Sequence, residues 1–316
     1  MCLEFAKCRY NGDMIGDPLV RRMKESGRIE FLPVCMEMEI GLGVPRDPVR
    51  IVRSPDGQAR LLQPATGRDL TELALEFTAG FLASVGEVDG FILKSRSPSC
   101  GVRDAKLYQS AQGAAPLMRQ SGLFGGEIAK KYPDIVTEDE KRLAHVKLAE
   151  HFLTTIFASA DWRAIEGTGR MRDIIEFHSD HKLLLMLYSQ REMRELGRIV
   201  ANHDKGSLEA VKDEYRRHLR AALSKPPRCN SGANVLQHAL GFFSDRLRAE
   251  EKRFFLEQLN MYLDARVPLS VCLNLMRSYV IRFGEPYLER QTFFEPFPAE
   301  LLEVGVTDSC EWRDLS

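Results

Sequence analysis

The sequence predicts a two-part protein: an α/β N-terminal domain, with a short parallel sheet flanked by helices, followed by an all-α domain that forms a helical bundle. Two observations lead to this prediction. Short apolar runs alternate with helical patterns up to about residue 137, whereas only helical patterns follow. The chain also has 316 residues, enough for two separate cores. We place the domains at 1–160 and 165–316, because two glycines interrupt the periodicity between 161 and 169.

The N-terminal domain contains two strand-like runs, residues 29–34 and 90–94. Between them, residues 71–85 have the apolar spacing of an amphipathic helix. The residues expected on its apolar face are Leu73, Leu75, Phe77, Phe81 and Leu82. A helix followed by a strand is typical of a crossover to a parallel strand. We expect another helix at 122–133 and a long one at 138–162, whose acidic first turn suits the helix dipole.

The second domain contains helical patterns only. These cover residues 171–202, 207–223, 233–264 and 269–283. Pro226, Pro227 and Pro268 mark the breaks between helices. Residues 294–298 and the tail after 303 lack periodicity, and we expect both to be irregular.

The composition is that of a globular protein without membrane spans. The chain is 44% hydrophobic and 28% charged, and its formal net charge is −1. No apolar run reaches the length of a span and the N-terminus lacks signal-peptide features, so we expect a cytoplasmic protein. Seven cysteines in a reducing compartment should be reduced, so those that cluster indicate metal or catalytic ligands rather than disulfides. A nucleic-acid partner would need a local basic patch, because the overall charge offers no attraction.

Four of the cysteines lie in the first domain. Cys35 and Cys100 each follow a strand-like run, and Cys2 and Cys8 lie near the N-terminus. If these runs are neighbouring parallel strands, they would bring Cys35 and Cys100 together. Three thiolates leave an iron–sulfur cluster with one iron that the protein does not ligate, or a zinc ion with one open position. The alternative is that these cysteines are buried and inert.

The motifs around these cysteines resemble the family of thiouracil and thiouridine desulfidases of the TudS and RudS type, over roughly residues 1–150. They read CL (2–3), CRYNG (8–12), VCMEMEIGLGVPR (34–46), DGFILKSRSPSCG (89–101) and KLY (106–108). The helical half resembles the YbgA-type domain that is often fused behind this family. Its motifs read FHSDHKLLLM (177–186), LGR (196–198), NVLQH (234–238) and EK (251–252).

The resemblance implies a [4Fe-4S] cluster held by Cys2, Cys35 and Cys100. It also implies a hydrolytic, non-redox removal of sulfur from a thiolated pyrimidine, which gives the oxo base and sulfide. The implied substrate is 4-thiouridine in tRNA or free thiouracil, and the fused helical domain favours tRNA by analogy. The open iron is a Lewis acid with affinity for sulfur. A carboxylate would activate the attacking water.

For that carboxylate, Glu39 is our first candidate and Glu37 the second. Ser97 or Ser99 would bind the substrate or transfer a proton. Zinc remains the alternative metal.

Cys2 follows Met1 directly, whereas family members usually carry a short strand ahead of this cysteine. We therefore expect either a start upstream or a poorly ordered terminus. In the second case Cys8 is a candidate substitute ligand, or a fourth ligand that closes the site.

Two other functions remain open. The helical domain could be an RNA- or protein-binding adaptor, with a structural metal site in the first domain, or the chain could be a redox iron–sulfur protein. Two basic segments would contact the phosphates of a tRNA, whose thiolated base would have to be extruded. These segments contain Arg46, Arg50, Arg53, Arg60 and Arg68, and Lys212, Arg216, Arg217, Arg220, Lys225 and Arg228. His178 and His181 could share a metal, but a structural role is the more common one for such a pair.

Overall fold

A computed structural model of the chain describes residues 1–113, 115–203 and 205–302. Residues 303–316, the end of the predicted second domain and the tail expected to be irregular, lie outside the described residues. Contacts between α-carbons divide the chain into two units at His145 and Val146. The division lies before the expected boundary of 160–165, because the helix over Val146–Glu166 groups with the second unit. None of the helices in the described ranges is long and apolar enough to cross a membrane.

The first unit alternates strands and helices. In order these are α1 Pro18–Glu25, α2 Met36–Glu39, β1 Arg50–Arg53, β2 Ala59–Gln63, β3 Arg68–Asp69, α3 Thr71–Ser84, β4 Gly90–Leu93, β5 Ala105–Tyr108, β6 Pro116–Gln120, α4 Leu123–Lys131 and β7 Val136–Asp139. The predicted α/β class is confirmed, and α3 and β4 begin and end close to where the sequence predicts them.

The sheets of the first unit are mixed rather than purely parallel. One sheet has the strand order β3-β2-β1-β5-β6, in which only β1 and β5 are parallel. The strands β4 and β7 form a separate parallel pair, with Leu93 opposite Asp139. The carboxyl ends of this pair therefore lie side by side, and the segments that follow them, residues 94–101 and 140–145, start from one edge.

A single apolar cluster supports these sheets. Its fully buried members include Met36 of α2, Ile51 of β1, Leu61 of β2 and Phe124 of α4. The buried face of α3 consists of Thr71, Ala74, Thr78 and Leu82. Leu73 and Leu75, which we expected on that face, are exposed. The sequence placed the helix correctly and its buried face only in part.

Two expectations for this unit are wrong. Residues 29–34 form no strand; they lead into α2 without regular secondary structure. Residues 138–140 are not the exposed first turn of a helix, because Glu138 and Asp139 end β7 and all three acidic residues are buried. The helix α5 begins at Val146.

The second unit is helical, as predicted. Its helices are α5 Val146–Glu166, α6 Met171–Tyr188, α7 Gln190–Ala201, α8 Leu208–Ala222, α9 Cys229–Gly241, α10 Ala249–Leu263, α11 Leu269–Phe283 and α12 Pro286–Glu289, followed by short 3-10 helices at Thr292–Phe294 and Ala299–Leu301. The predicted helix over 171–202 is interrupted at Ser189, which caps α7 by accepting a hydrogen bond from the Glu192 backbone amide. Such an internal cap is a sequence signal for a break.

A buried glutamine joins the end of the described chain to α6. The amide nitrogen of Gln291 donates to the Ser179 carbonyl (2.7 Å), and its amide oxygen accepts from the Leu183 backbone nitrogen (3.0 Å). Ser179 and Leu183 are four residues apart, so the side chain occupies the place of one helical hydrogen bond. Arg290 adds an ion pair with Asp180 at 2.9 Å. The segment after α12 is therefore part of the packing of α6.

Candidate active site

The backbone around Cys2 is held by several hydrogen bonds. The Met1 amino group donates to the Val34 carbonyl at 3.1 Å, and the Ile15 amide donates to the Cys2 carbonyl at 2.8 Å. The second bond lies next to a parallel bridge between Leu3 and Ile15. These contacts place Cys2 beside the segment that carries Cys35. A poorly ordered terminus was one of our two alternatives, and these hydrogen bonds instead hold the backbone on both sides of Cys2.

The short helix α2 separates the two candidate glutamates. Cys35 occupies its N-cap position in an extended conformation, and Glu37 and Glu39 follow within the helix. Residues two apart in a helix point in nearly opposite directions. Glu37 points inward, where its side chain is 14% exposed, whereas Glu39 is exposed. Within the described ranges the Glu39 carboxylate accepts no hydrogen bond, whereas the Glu37 carboxylate accepts several, so the geometry favours Glu37, our second candidate.

The loop after β4 presents Ser97, Ser99 and Cys100. The Ser97 hydroxyl accepts hydrogen bonds from the Ser99 and Cys100 backbone amides, at 3.2 and 3.0 Å. Ser97 therefore shapes the loop rather than facing a reactant. The Ser99 side chain is buried, and its hydroxyl donates to Oε1 of Glu37 at 2.6 Å. Of the two serines, Ser99 is the one in contact with a candidate base.

Helix α4 packs directly against this loop through glycines. The amides of Leu123 and Gly125 donate to the carbonyls of Pro98 and Ser99, both at 3.1 Å. A Cβ atom added at Gly125 would lie 2.6 Å from the Gly101 carbonyl oxygen, and one added at Gly122 would overlap Ser99. Only glycine permits this approach of the two backbones. The seam formed by Gly101, Gly122 and Gly125, which we call the glycine seam, fixes the position of Cys100.

The four thiols of this unit are close enough to influence one another. Burial raises the pKa of the Cys100 thiol, and the Glu37 carboxylate and the thiols of Cys2 and Cys35 add to that rise. Burial also raises the pKa of Cys8 to about 12, with further contributions from Cys35 and Cys2 and a hydrogen bond to Cys35. Burial also raises the pKa of the Cys2 thiol, although the nearby ammonium of Lys94 lowers it.

Among the described residues, no group of three or more His, Cys, Asp and Glu side chains has the arrangement that holds a metal ion. A single zinc holds its sulfur ligands within about 4 Å of one another, because each Zn–S bond is about 2.3 Å long. A polynuclear iron–sulfur cluster spreads its cysteine ligands over separate irons and needs a wider opening. The thiols of Cys2, Cys35 and Cys100, which influence one another, would supply the cysteine ligands of such a cluster.

A buried arginine completes the polar part of the site. The Nε atom of Arg46 donates to Oε2 of Glu37 at 2.8 Å, and Nη2 lies 2.7 Å from the same oxygen. The Arg46 side chain is only 4% exposed. We expected Arg46 to contact phosphate, but in the structure its guanidinium pairs with the Glu37 carboxylate instead.

Glu140 is a site neighbour that sequence reasoning missed. Its carboxylate accepts hydrogen bonds from Ser95, through the backbone amide at 2.8 Å and the hydroxyl at 2.6 Å, and from Lys94 at 2.5 Å. Burial raises the pKa of Glu140, but these hydrogen bonds outweigh it and hold the pKa below the usual value. The network joins the segments after β4 and β7 and so supports the Cys100 loop.

The other predicted candidates lie outside this site. Most of the expected phosphate contacts have partners within the chain: Arg50 donates to the Gly113 carbonyl, Arg60 pairs with Asp69, and Lys212 pairs with Glu209. His178 bonds the Tyr215 hydroxyl, while His181 donates to the Phe177 carbonyl. The two histidines therefore do not converge.

Comparison with known proteins assigns families to both halves. Residues 1–140 match the family described as 2-thiouracil desulfurase, and residues 182–298 match a protein family of unknown function, DUF1722. The "Uncharacterized protein YbgA" of Escherichia coli (strain K12) is 28% identical over 148 residues, which are 46% of this chain and 88% of that protein. A solved structure, a [4Fe-4S]-dependent thiouracil desulfidase TudS, is 23% identical over 45% of this chain and 89% of that chain, with a TM-score of 0.34. That superposition is too weak to support a conclusion. The chain thus carries a region that matches the 2-thiouracil desulfurase family, followed by a YbgA-type region that matches DUF1722.

Proposed function

We propose that the first unit removes sulfur from a thiolated pyrimidine by hydrolysis, with an iron–sulfur cluster bound to Cys2, Cys35 and Cys100. The observation that carries the proposal is the contact of Ser99 with Glu37 beside these thiols, at 2.6 Å, within a region that matches the 2-thiouracil desulfurase family. When bound, a cluster with one open iron supplies a Lewis acid with affinity for sulfur.

The protein's own residues supply the proton transfers. Glu37 is fixed by Arg46 through Oε2, which leaves Oε1 directed at Ser99. In the reaction, the Ser99 hydroxyl orients the attacking water and passes the water's proton on to Oε1 of Glu37, which accepts it. Water supplies the oxygen of the new carbonyl group and both protons leave with the sulfur, so no electrons are exchanged.

The substrate we propose is a small thiolated base or nucleoside. The family description supports thiouracil, and several of the cationic side chains expected to bind tRNA phosphates are engaged in internal contacts. Nothing in the described contacts favours the adaptor or the zinc alternative.

The test is anaerobic reconstitution followed by incubation with 2-thiouracil, 4-thiouracil or a 4-thiouridine-containing tRNA, with sulfide and the oxo base as readouts. We expect equal amounts of both products from a free base. Ser99→Ala should reduce turnover about tenfold to 100-fold and keep the iron. A reconstituted protein that releases no sulfide from any of the three would refute the proposed function.

A further inference from the structure

The guanidinium of Arg46 uses its whole donor set within the protein. Besides the two contacts with Oε2 of Glu37, Nη1 donates to the Gly43 carbonyl at 2.8 Å and Nη2 donates to the Cys8 carbonyl at 2.9 Å. Nη1 also lies 3.7 Å from the sulfur of Met38. An arginine has five N–H donors in a rigid fork, and a lysine has three on one atom.

These contacts join three separate segments of the chain. The Cys8 carbonyl belongs to the N-terminal segment, Glu37 belongs to α2, and Gly43 belongs to the turn that follows α2. The Arg46 amide adds a bond to the Tyr10 carbonyl at 2.8 Å. A displacement of the guanidinium would therefore move the carboxylate and the backbone of Cys8 together.

We propose that Arg46 is a positioning residue that acts through Glu37: it holds Oε2, so that Oε1 faces Ser99, and it locks the Cys8 segment against α2. The inference rests on the proposed function for its effect on turnover. Its second part, the protection of the Cys8 segment, concerns the protein without cofactor or substrate.

The kinetic test compares Arg46→Gln, Glu37→Gln and the double variant. We expect Arg46→Gln to lower kcat about 100-fold, as a misplaced catalytic group does, with KM and iron content close to wild type. Guanidinium added to Arg46→Gln should restore part of the activity. In the Glu37→Gln background the same change should cost nothing more, because Arg46 would have no carboxylate left to orient. Additive losses would overturn the inference.

The geometric claim is tested by Arg46→Lys, which keeps the charge and removes the fork. We expect a kcat well below wild type, and full activity would show that charge alone suffices. This variant also serves if Arg46→Gln does not fold. The matched control is Arg60→Gln, which removes an arginine–carboxylate pair from β2 and β3 and should keep wild-type kinetics.

Alkylation of the apoprotein separates this inference from the proposed function. Cys8 is buried, and its modification by iodoacetamide can be followed by mass spectrometry. We expect it to be about tenfold faster in Arg46→Gln than in wild type or Arg60→Gln, because local opening exposes the thiol. Unchanged Cys8 protection would overturn the locking role even if the wild type proved inactive on thiopyrimidines.

Discussion

The hydroxyl of Ser99 lies 2.6 Å from Oε1 of Glu37, although the two residues are 62 positions apart in the sequence. Helix α2 brings the carboxylate to this contact, and the loop after β4 brings the hydroxyl. Both partners are shielded from bulk water, since Ser99 is 1% exposed and the Glu37 side chain 14%. The hydrogen bond between these two atoms therefore has a fixed orientation.

The two glutamates of α2 should differ sharply in their importance. Glu37→Gln removes the proton acceptor, and we expect kcat to fall about 100-fold or more with unchanged iron content. Glu39→Gln is the matched control, since Glu39 is exposed on the same helix, and it should keep wild-type kinetics. Steady-state rates of sulfide release measure both. Equal losses in the two variants would remove the assignment of the base.

Replacement of single cysteines should separate ligands from neighbours. We expect Cys2→Ala, Cys35→Ala and Cys100→Ala each to lose most of the roughly four irons of the reconstituted protein. Cys8→Ala should keep the iron, because we assign the cluster to the other three. Cys272→Ala, a buried cysteine of the second unit, controls for the loss of a thiol. Iron retention by all three proposed ligand variants would contradict the cluster assignment.

The glycine seam should tolerate no side chain. Gly125→Ala places a methyl group 2.6 Å from the Gly101 carbonyl oxygen, and we expect a loss of about 1–3 kcal/mol in the free energy of unfolding. Gly80→Ala on α3 has no atom within 4 Å of the added carbon. That variant should gain up to about 1 kcal/mol, because alanine favours a helix. Chemical denaturation measures both, and a stable Gly125→Ala protein would be the contrary result.

The Glu140 network should make the first unit sensitive to acid. The pKa of Glu140 is lower in the folded than in the unfolded protein, so its contribution is complete above the unfolded value, about 4.3, and is lost as pH falls through the lower folded value. Glu140→Gln should lower the free energy of unfolding at pH 7 and flatten its acid dependence. Glu127→Gln, which breaks an exposed pair with Lys130, is the control. An unaltered pH profile in Glu140→Gln would count against the network.

Gln291 should be needed for the second unit. Gln291→Met keeps the volume but leaves the Leu183 amide and the Ser179 carbonyl unpaired, at a cost of about 2–4 kcal/mol. Gln237→Met on the exposed side of α9 is the matched change. Thermal unfolding followed by circular dichroism compares them, and an unchanged melting temperature for Gln291→Met would show that other groups or water satisfy the helix.

The sequence predicted the elements better than their pairing. The limits of α3 and α11 follow from periodicity and, for α11, from the break at Pro268, which are local properties. The mixed sheet and the separate pair of β4 and β7 depend on long-range contacts that no local pattern encodes. Residues 29–34 had the composition of a strand, but in the described structure they find no partner strand.

The sequence predicted which types of residue form the candidate site, but not which of them contact one another. The motifs led to the cysteines, to Glu39 and Glu37, and to Ser97 and Ser99, and the structure brings Glu37 and Ser99 into contact. The choice between Glu37 and Glu39 required knowing that α2 is a helix, because in an extended segment both side chains would point the same way. We expected Arg46 to contact phosphate, because the residues next to it in the sequence do not indicate that its side chain is buried.

The segments carrying Cys2, Cys35 and Cys100 are synthesised far apart in time, and the helix that fixes the last of them through the glycine seam extends to Lys131. On a ribosome, Cys2 emerges long before α4, the helix that packs against the Cys100 loop. A cluster held by these three thiols, as we propose, would therefore be inserted after the translation of the first hundred residues and not during it.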